Sequence, residues 1–168
     1  MYNFACVCYG DKYPVEYVQK LYNMVKRNTT LPVNFFVFTD HVKMHKMVDG
    51  YINIREFPET DLQRWWNKLQ LFHPKVDLPG DTLYMDLDVV IVGNLDEFFT
   101  FGKDEDFCVI HDFGQPHTTI NSSVLRYNLK HHSHIYETYI SRKDTFDKLH
   151  GDQNVITDLM LEHNQRVY

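Results

Sequence analysis

The sequence predicts an α/β fold in which a mostly parallel central sheet is flanked by helices. Its strand-like segments are continuous apolar runs, such as Asn34–Thr39, rather than alternating apolar and polar residues. Continuous runs are typical of parallel strands that are covered on both faces, and helix-like segments lie between them. No repeat, linker or low-complexity segment interrupts the 168 residues. We therefore expect one domain spanning residues 1–168.

The first third of the chain predicts a strand–helix–strand unit. Apolar residues recur at helical spacing from Val15 to Val25, and Pro14 suits a helix start. Buried strands are predicted at Phe4–Tyr9, before this helix, and at Asn34–Thr39, after it. A loop at Met44–Gly50 then leads to a third predicted strand, Tyr51–Phe57.

A second helix is predicted from Leu62 to about Phe72, with Asp61 as its cap. Its apolar residues define a buried stripe, and Arg64 and Lys68, four positions apart, border that stripe together. We expect the stripe to consist of Leu62, Trp65, Leu69 and Phe72.

The last third of the chain predicts two more strands and two more helices. Asp152 stands where a helix cap belongs. His131, His132 and His134 could bind a metal, but we expect this spacing to be an exposed helix edge. The predicted segments are the strands Phe107–Ile110 and Ile120–Tyr127, the loop Phe113–Thr119, the helix His132–Ile140, and a last helix opening at Gly151.

Composition excludes several classes of function. Acidic residues outnumber basic ones by 23 to 17, and no run of Lys or Arg exceeds two, so a nucleic-acid partner is not expected. The apolar runs are too short for a membrane span, and the start of the chain does not resemble a signal peptide. We therefore expect a cytoplasmic protein without disulfides. Cys6 and Cys8 could form a Cys-x-Cys metal site, but we expect them to be buried strand thiols, with Cys108 left unpaired in another buried strand.

The stretch Leu83–Val92 predicts the central strand and contains the strongest chemical signal. Asp86 and Asp88 interrupt its apolar residues and, in a strand, share one face. Two such carboxylates repel each other unless a cation lies between them, and hard oxygen ligands suit Mn²⁺ or Mg²⁺. The alternative is a strand that ends in solvated acids at a turn, and the spacing alone leaves both open.

Six segments together, in this order, resemble the GT-A fold glycosyltransferases, whose single domain is Rossmann-like. The resemblance is strongest to glycosyltransferase family 8 and the glycogenin-like enzymes, and it extends over most of the chain. The segments are the first strand ending near Tyr9, Trp65–Leu69, Leu83–Val90, Asn94–Phe99, Asn121–Val124 and His150–Gln153.

This resemblance implies a metal-dependent transfer of sugar from a nucleotide sugar, a UDP-sugar, to an unknown sugar, glycan or protein acceptor, with retention. The DXD motif, Asp86 and Asp88, would hold Mn²⁺ (or Mg²⁺) on the donor diphosphate. The catalytic residues would be Asp152, Gln153 and Lys68. The donor-binding residues would be Ala5, Cys6, Tyr9, Tyr13, Asp40, Arg64, Lys68, Asp86, Leu87, Asp112, Asn121 and Ser122.

The chain departs from the family pattern at one point. Family 8 enzymes supply a third metal ligand from a His-x-x-Gly-x-x-Lys-Pro segment, which does not occur before Tyr168. We expect either that water or a distal group such as His163 completes the coordination, or that this is a minimal form with a loose metal site.

Three alternative functions fit part of the sequence. A haloacid-dehalogenase-type phosphatase also ends a strand with Asp-x-Asp, but usually on its first strand, and Asp158 lies too far past Asp152 for its later acids. Sugar nucleotidyltransferases need a glycine-rich loop, and Cys8–Lys12 has one glycine. A non-catalytic binder of nucleotide sugars would have no need to keep Asp86, Asp88, Lys68 and Asp152 together.

Overall fold

A computed structural model describes residues 1–41, 44, 48, 50–114 and 119–162. Within these ranges, the strands are β1 (Tyr2–Cys8), β2 (Val33–Thr39), β3 (Ile52–Glu56), β4 (Asp81–Met85), β5 (Cys108–His111) and β6 (Ile120–Asn128). They form a 6-stranded sheet with the order β3-β2-β1-β4-β6-β5. The central strands are nearly all buried, as their continuous apolar sequences predict.

The directions of the strands bring one end of each strand to the same edge of the sheet. β1 pairs in parallel with β2 and β4, and β2 pairs in parallel with β3. β6 runs antiparallel to both β4 and β5, so β5 has the direction of β4. The carboxyl ends of five strands and the amino end of β6 therefore share one edge, which we call the carboxyl edge. The predicted α/β fold with a mostly parallel sheet is confirmed.

Helices cover both faces of this sheet. In the described residues they are α1 (Glu16–Arg27), a 3₁₀ helix (Arg64–Phe72), α2 (Asp96–Thr100), α3 (Leu129–His132), α4 (His134–Ser141), α5 (Lys143–Phe146) and α6 (Asp152–Glu162). One core packs beneath α1 and α2, and the other lies beneath the 3₁₀ helix, α4 and α6.

The prediction of one strand through Leu83–Val92 is wrong beyond Met85. Met85 makes the last pair with β6, opposite Val124, and Asp86–Asp88 then turn away from the sheet. The Val89 amide donates to the Asp86 carbonyl at 3.2 Å, which closes this turn. The turn keeps the carboxylates near water, which a strand buried on both faces would not do.

The predicted helix Leu62–Phe72 is a 3₁₀ helix that begins at Arg64, and Asp61 does not cap it. Arg64 has φ 54°, a left-handed conformation that costs a non-glycine residue about 1–2 kcal/mol. The side-chain amide of Asn67 stabilises this conformation by donating to the carbonyls of Leu62 (3.1 Å) and Arg64 (3.2 Å). This change of helix type and phase makes the predicted stripe wrong at Trp65, which is 46% exposed, and buries Lys68.

Several smaller predictions can also be compared with the structure. All three thiols are free and buried, as expected. His132 is fully buried against Phe107, so the exposed helix edge predicted for the histidines is wrong there. Most of the loop Met44–Gly50 and the middle of Phe113–Thr119 lie outside the described residues. Within the described ranges, no helix combines the length and apolar character that a membrane crossing needs.

Candidate active site

Lys68 lies at the centre of a polar cluster on the carboxyl edge. Its Nζ is 3.0 Å from Asp86 Oδ1 and 3.1 Å from Asp152 Oδ2. It also donates to the carbonyl (3.2 Å) and hydroxyl (3.1 Å) oxygens of Ser122. Burial lowers the pKa of Lys68, but the charges of Asp152 and Asp86 raise it by more than burial lowers it. The pKa of Lys68 is therefore above its ordinary value. The site therefore contains a buried, charged ammonium shared by two carboxylates.

Asp86 is held in place by two further groups. Its amide donates to the Ser123 carbonyl at 3.0 Å, and its Oδ1 accepts a hydrogen bond from the Tyr84 hydroxyl. Burial, followed by the charge of Asp86, raises the pKa of Tyr84 well above its ordinary value, so this phenol remains a donor. Sequence reasoning did not select Tyr84 as a site residue. The available signal was a tyrosine inside a buried strand, because its hydroxyl needs a partner.

Asp88 projects from the same turn toward the loop after β1. Its Oδ2 accepts a hydrogen bond from the Tyr13 hydroxyl. Burial and this hydrogen bond to Asp88 raise the pKa of Tyr13. The Lys12 ammonium lies 4.6 Å from the centre of the Tyr13 ring, so a second cation stands near the paired acids.

The paired acids fit a divalent metal ion in their chemistry. Asp86 Oδ2 and Asp88 Oδ1 accept no hydrogen bond from the described residues, which leaves one oxygen of each carboxylate available. Carboxylate oxygens are ligands that Mg²⁺ and Mn²⁺ prefer. The described ranges contain no cluster of three or more acidic, histidine or cysteine ligands. His163 lies outside them, so the two acids would supply only part of a coordination shell.

The first residues of α6 connect the buried cation to the end of β5. The Ser122 hydroxyl donates to Asp152 Oδ2 at 2.8 Å, so this one oxygen of the buried Asp152 carboxylate contacts both Ser122 and Lys68. Gln153 donates from Nε2 to Asp112 Oδ2 at 2.8 Å, and its Oε1 accepts from the Ser122 amide at 3.2 Å. Asn121 lies next to this network, with its Oδ1 accepting from the Ser123 amide at 2.9 Å. These residues share one surface, as the strand ends predict.

The predicted donor-binding residues in and directly after β1 and β2 divide into two groups. Ala5 and Cys6 are fully buried in the cores on opposite faces of the sheet, and burial raises the pKa of the Cys6 thiol. Their side chains do not reach the carboxyl edge. Tyr9 does reach it, with its ring 6.0 Å from that of Phe57. Asp40 is exposed there and accepts from the Gly10 amide at 3.1 Å.

The two remaining predicted residues lie at the margin of the site. Arg64 is exposed, with its guanidinium 5.8 Å from the Trp65 ring centre. It therefore does not share the buried environment of Lys68, although the sequence placed both beside one stripe. Leu87 is buried in the core beneath α1 and α2, so its side chain does not face the paired acids.

The arrangement has a clear chemical character. Two acids with available oxygens lie beside a fixed ammonium, and a row of amide, hydroxyl and carboxylate groups continues from it along the edge of the sheet. Fixed cations of this kind stabilise negative charge that develops on a leaving group. Open α/β sheets bind their ligands beyond the carboxyl ends of their strands, which is where this cluster lies.

The backbone is similar to that of several solved glycosyltransferases. Galactosyltransferase LgtC, in complex with donor and acceptor sugar analogs, matches with a TM-score of 0.68 and 16% identity over 94% of this chain and 70% of that chain. Glycosyltransferase GlyE of Streptococcus pneumoniae TIGR4 matches with 0.71 and 12% identity over 99% and 44%. Mouse xyloside xylosyltransferase 1 matches with 0.60 and 14% identity over 99% and 84%.

The sequence comparisons add nothing to these structural ones. No protein-family model and no curated protein sequence matches the chain. Identities this low establish the architecture alone, and the chain spans less than half of GlyE. The sheet order, its single reversed strand and the helices on both faces are those of a mixed α/β protein with a mostly parallel sheet. The chain therefore has the GT-A glycosyltransferase fold.

Proposed function

We propose that this protein is a metal-dependent glycosyltransferase of the family 8 type, with residues 1–168 forming one catalytic domain. It would move a sugar from a nucleotide sugar, most simply a UDP-sugar, to a sugar, glycan or protein acceptor, with retention at the anomeric carbon. The observation that carries the proposal is the Lys68 ammonium, fixed between Asp86 and Asp152, together with Asp88, which follows Asp86 in the same turn and has an available oxygen.

Each part of the cluster has a role in this reaction. Asp86 and Asp88 would hold Mn²⁺ or Mg²⁺, which neutralises the donor diphosphate when bound. Lys68 would stabilise the negative charge that the diphosphate gains as it leaves. Tyr84 and Ser122 keep Asp86 and Lys68 in place through the hydrogen bonds described above.

The other end of the cluster suits the donor sugar. Asp112, Asn121 and Gln153 offer carboxylate and amide groups, which match the hydroxyl groups of a pyranose. Asp152, with its Oδ2 held by Lys68 and Ser122, would orient the sugar and stabilise positive charge developing at the anomeric carbon. Free buried thiols fit a reducing compartment, and we propose the cytoplasm as the site of the reaction.

The test is release of UDP from UDP-glucose, UDP-galactose and UDP-xylose, measured with Mn²⁺ and with EDTA. We expect release with Mn²⁺, and its loss with EDTA or in Asp88→Asn. Binding of a nucleotide sugar without UDP release, even when sugar acceptors are added, would instead identify a non-catalytic binder. Phosphate release from p-nitrophenyl phosphate that depends on Asp86 would identify a phosphatase.

A further inference from the structure

Trp65 is exposed at the margin of the candidate site, although its position in the sequence predicts burial. Its neighbour Trp66 is half-buried and stacks on Tyr139, with ring centres 5.6 Å apart and an angle of 19°. Trp65 meets Trp66 only at a tilt, with centres 6.5 Å apart. Trp65 is 46% exposed, as are other aromatic side chains such as Phe98 at 43%, so it is the surroundings of Trp65 that distinguish it.

The backbone before Trp65 is held in a strained form that determines this exposure. Arg64 is the one non-glycine residue with positive φ in the described part of the chain, and the buried amide of Asn67 fixes it with two hydrogen bonds. Strain of this kind persists where the surrounding structure enforces it, and it concentrates at functional sites. The exposed indole is thus a built feature of the fold.

Trp65 also lies next to the residues of the proposed reaction. In a 3₁₀ helix, residues three apart are aligned, so Trp65 shares a face with Lys68. A Cβ added to Gly151 would be 3.5 Å from Trp65 Cδ1 and 3.6 Å from Nε1, so the indole packs against the backbone just before Asp152. The Asp152 carboxylate therefore belongs to the residue that follows this contact in the chain.

The contacts of α6 separate the indole from the proposed donor sugar. Gly151 contacts Trp65, Asp152 contacts Lys68, and Gln153 contacts Asp112. Successive residues of the helix start thus face three different neighbours. Because the donor sugar is proposed to lie along Asp112 and Gln153, the indole borders the site on another side, which is open to water.

From these contacts we propose that Trp65 is the stacking platform for a pyranose ring of the acceptor. The C–H groups of a pyranose form an apolar face that fits a flat, rigid indole, while its hydroxyl groups remain at the rim. The Arg64 guanidinium lies over the indole ring, 5.8 Å from its centre, so the sugar would stack on the opposite face of the ring, with the charged group close by. This inference rests on the proposed function, and it assigns the class of acceptor that the site takes.

The chain contains two tryptophans, and this permits a matched pair of fluorescence variants. Trp66→Phe leaves Trp65 as the single indole, and Trp65→Phe leaves Trp66. With UDP and Mn²⁺ present, each variant is titrated with methyl glycosides of glucose, galactose and xylose. We expect a saturable change in emission from Trp66→Phe and none from Trp65→Phe. Equal responses in both variants, or no response in Trp66→Phe, would overturn the platform.

Kinetics separate the platform from the general function. With the glycoside that responds, Trp65→Ala should raise the acceptor KM about tenfold, while Trp65→Phe, which keeps a ring, recovers most of the loss. The donor KM should change far less than the acceptor KM. Phe98→Ala, an exposed aromatic on α2 outside the site, is the control and should change neither.

The two ways of failing are distinct. Absence of UDP release by the wild-type protein from every donor, with Mn²⁺ present, would refute the proposed function and the platform with it. Normal UDP release together with an unchanged acceptor KM in Trp65→Ala would refute the platform alone.

Discussion

Lys68 and Asp152 form a buried ion pair, with Nζ 3.1 Å from Oδ2 and each side chain only 9% exposed. Asp86 approaches the same ammonium at 3.0 Å from the other side and is 27% exposed. Removing charges from water is costly, so such a cluster persists only when each charge keeps its partners. The ammonium thus balances two acids that would otherwise repel each other.

Removing this charge should affect both stability and catalysis. Lys68→Met keeps most of the packing but leaves Asp152 buried without its cation. We expect the free energy of unfolding to fall by about 2–4 kcal/mol, because water reaching Asp86 moderates the cost. UDP release should fall about 10- to 100-fold. The control is Lys75→Met, since Lys75 is 72% exposed and its pairing with Glu59 contributes little. If Lys68→Met and Lys75→Met had equal effects on urea unfolding and on UDP release, this role for Lys68 would be contradicted.

The two paired acids should respond differently to the same substitution. Asp88 is exposed and bonded to Tyr13, so Asp88→Asn should abolish Mn²⁺-dependent donor binding with an unchanged melting temperature. Asp86→Asn should abolish binding and also lower the melting temperature, because Lys68 and Tyr84 both lose a charged partner. Calorimetry with a UDP-sugar and thermal unfolding measure the two effects. Wild-type donor affinity in either variant, or affinity insensitive to EDTA, would contradict the metal assignment.

Gln153 should tolerate substitution poorly even when its shape is preserved. Gln153→Glu keeps the oxygen that accepts from Ser122 but replaces the amide that donates to Asp112 with a second carboxylate. Repulsion between the acids should separate the start of α6 from the end of β5 and reduce UDP release about tenfold or more at pH 7.5. Gln153→Met removes the hydrogen-bond donor without adding charge, so its rate of UDP release should fall less. A fully active Gln153→Glu would place the donor sugar elsewhere.

Asp152→Asn distinguishes three roles for this residue. As a helix cap alone it would be almost silent, because asparagine caps about as well. As a general base in an inverting reaction its loss would cost about 10²–10⁴-fold in rate with donor binding retained. We expect an intermediate loss, together with a product of retained configuration in the first proton NMR spectra, because Asp152 would orient the sugar without removing a proton. A first-formed product of inverted configuration would contradict retention.

The Cys8 thiol should report folding through its pH dependence. Burial, followed by the charge of Asp40, raises its pKa from 9.0 to about 11. The unfolded chain therefore loses this proton at lower pH than the folded one, and this contribution to stability is lost as pH rises from about 9 to about 11. The Cβ chemical shift of Cys8, followed by carbon-13 NMR across this pH range, should reach the midpoint of its change near pH 11 in the native protein. A native midpoint near pH 9, like that expected in urea, would contradict the burial effect.

Strand ends could be predicted from the sequence because they depend on local patterns. Apolar runs locate Asp86 and Asp112 at the ends of β4 and β5, and parallel strands bring such ends together. The reversed direction of β6 has no local signal, since a buried strand reads alike in either direction. It is this reversal that brings Asn121 and Ser122 to the same edge.

Other features could not be predicted, because they depend on residues far apart in the chain. The partners of Lys68 come from β6, the turn after β4 and the start of α6, and no spacing rule connects them. The left-handed conformation of Arg64 depends on the Asn67 amide, and without it the helical periodicity points Trp65 inward. Hydrophobic patterns in the sequence indicate which surfaces are buried. These polar contacts instead join residues that only the complete fold brings together.

The position of α6 has a consequence for how the protein acquires its site. Asp152 and Gln153 belong to the last described helix, whereas Lys68 and Asp86 lie far earlier in the chain. Contacts between such distant residues form late, after the loops between them have closed. Until α6 docks, Lys68 would have Asp86 as its one acidic partner among the described residues. During refolding, donor binding should therefore recover after the sheet has formed and in step with the docking of α6.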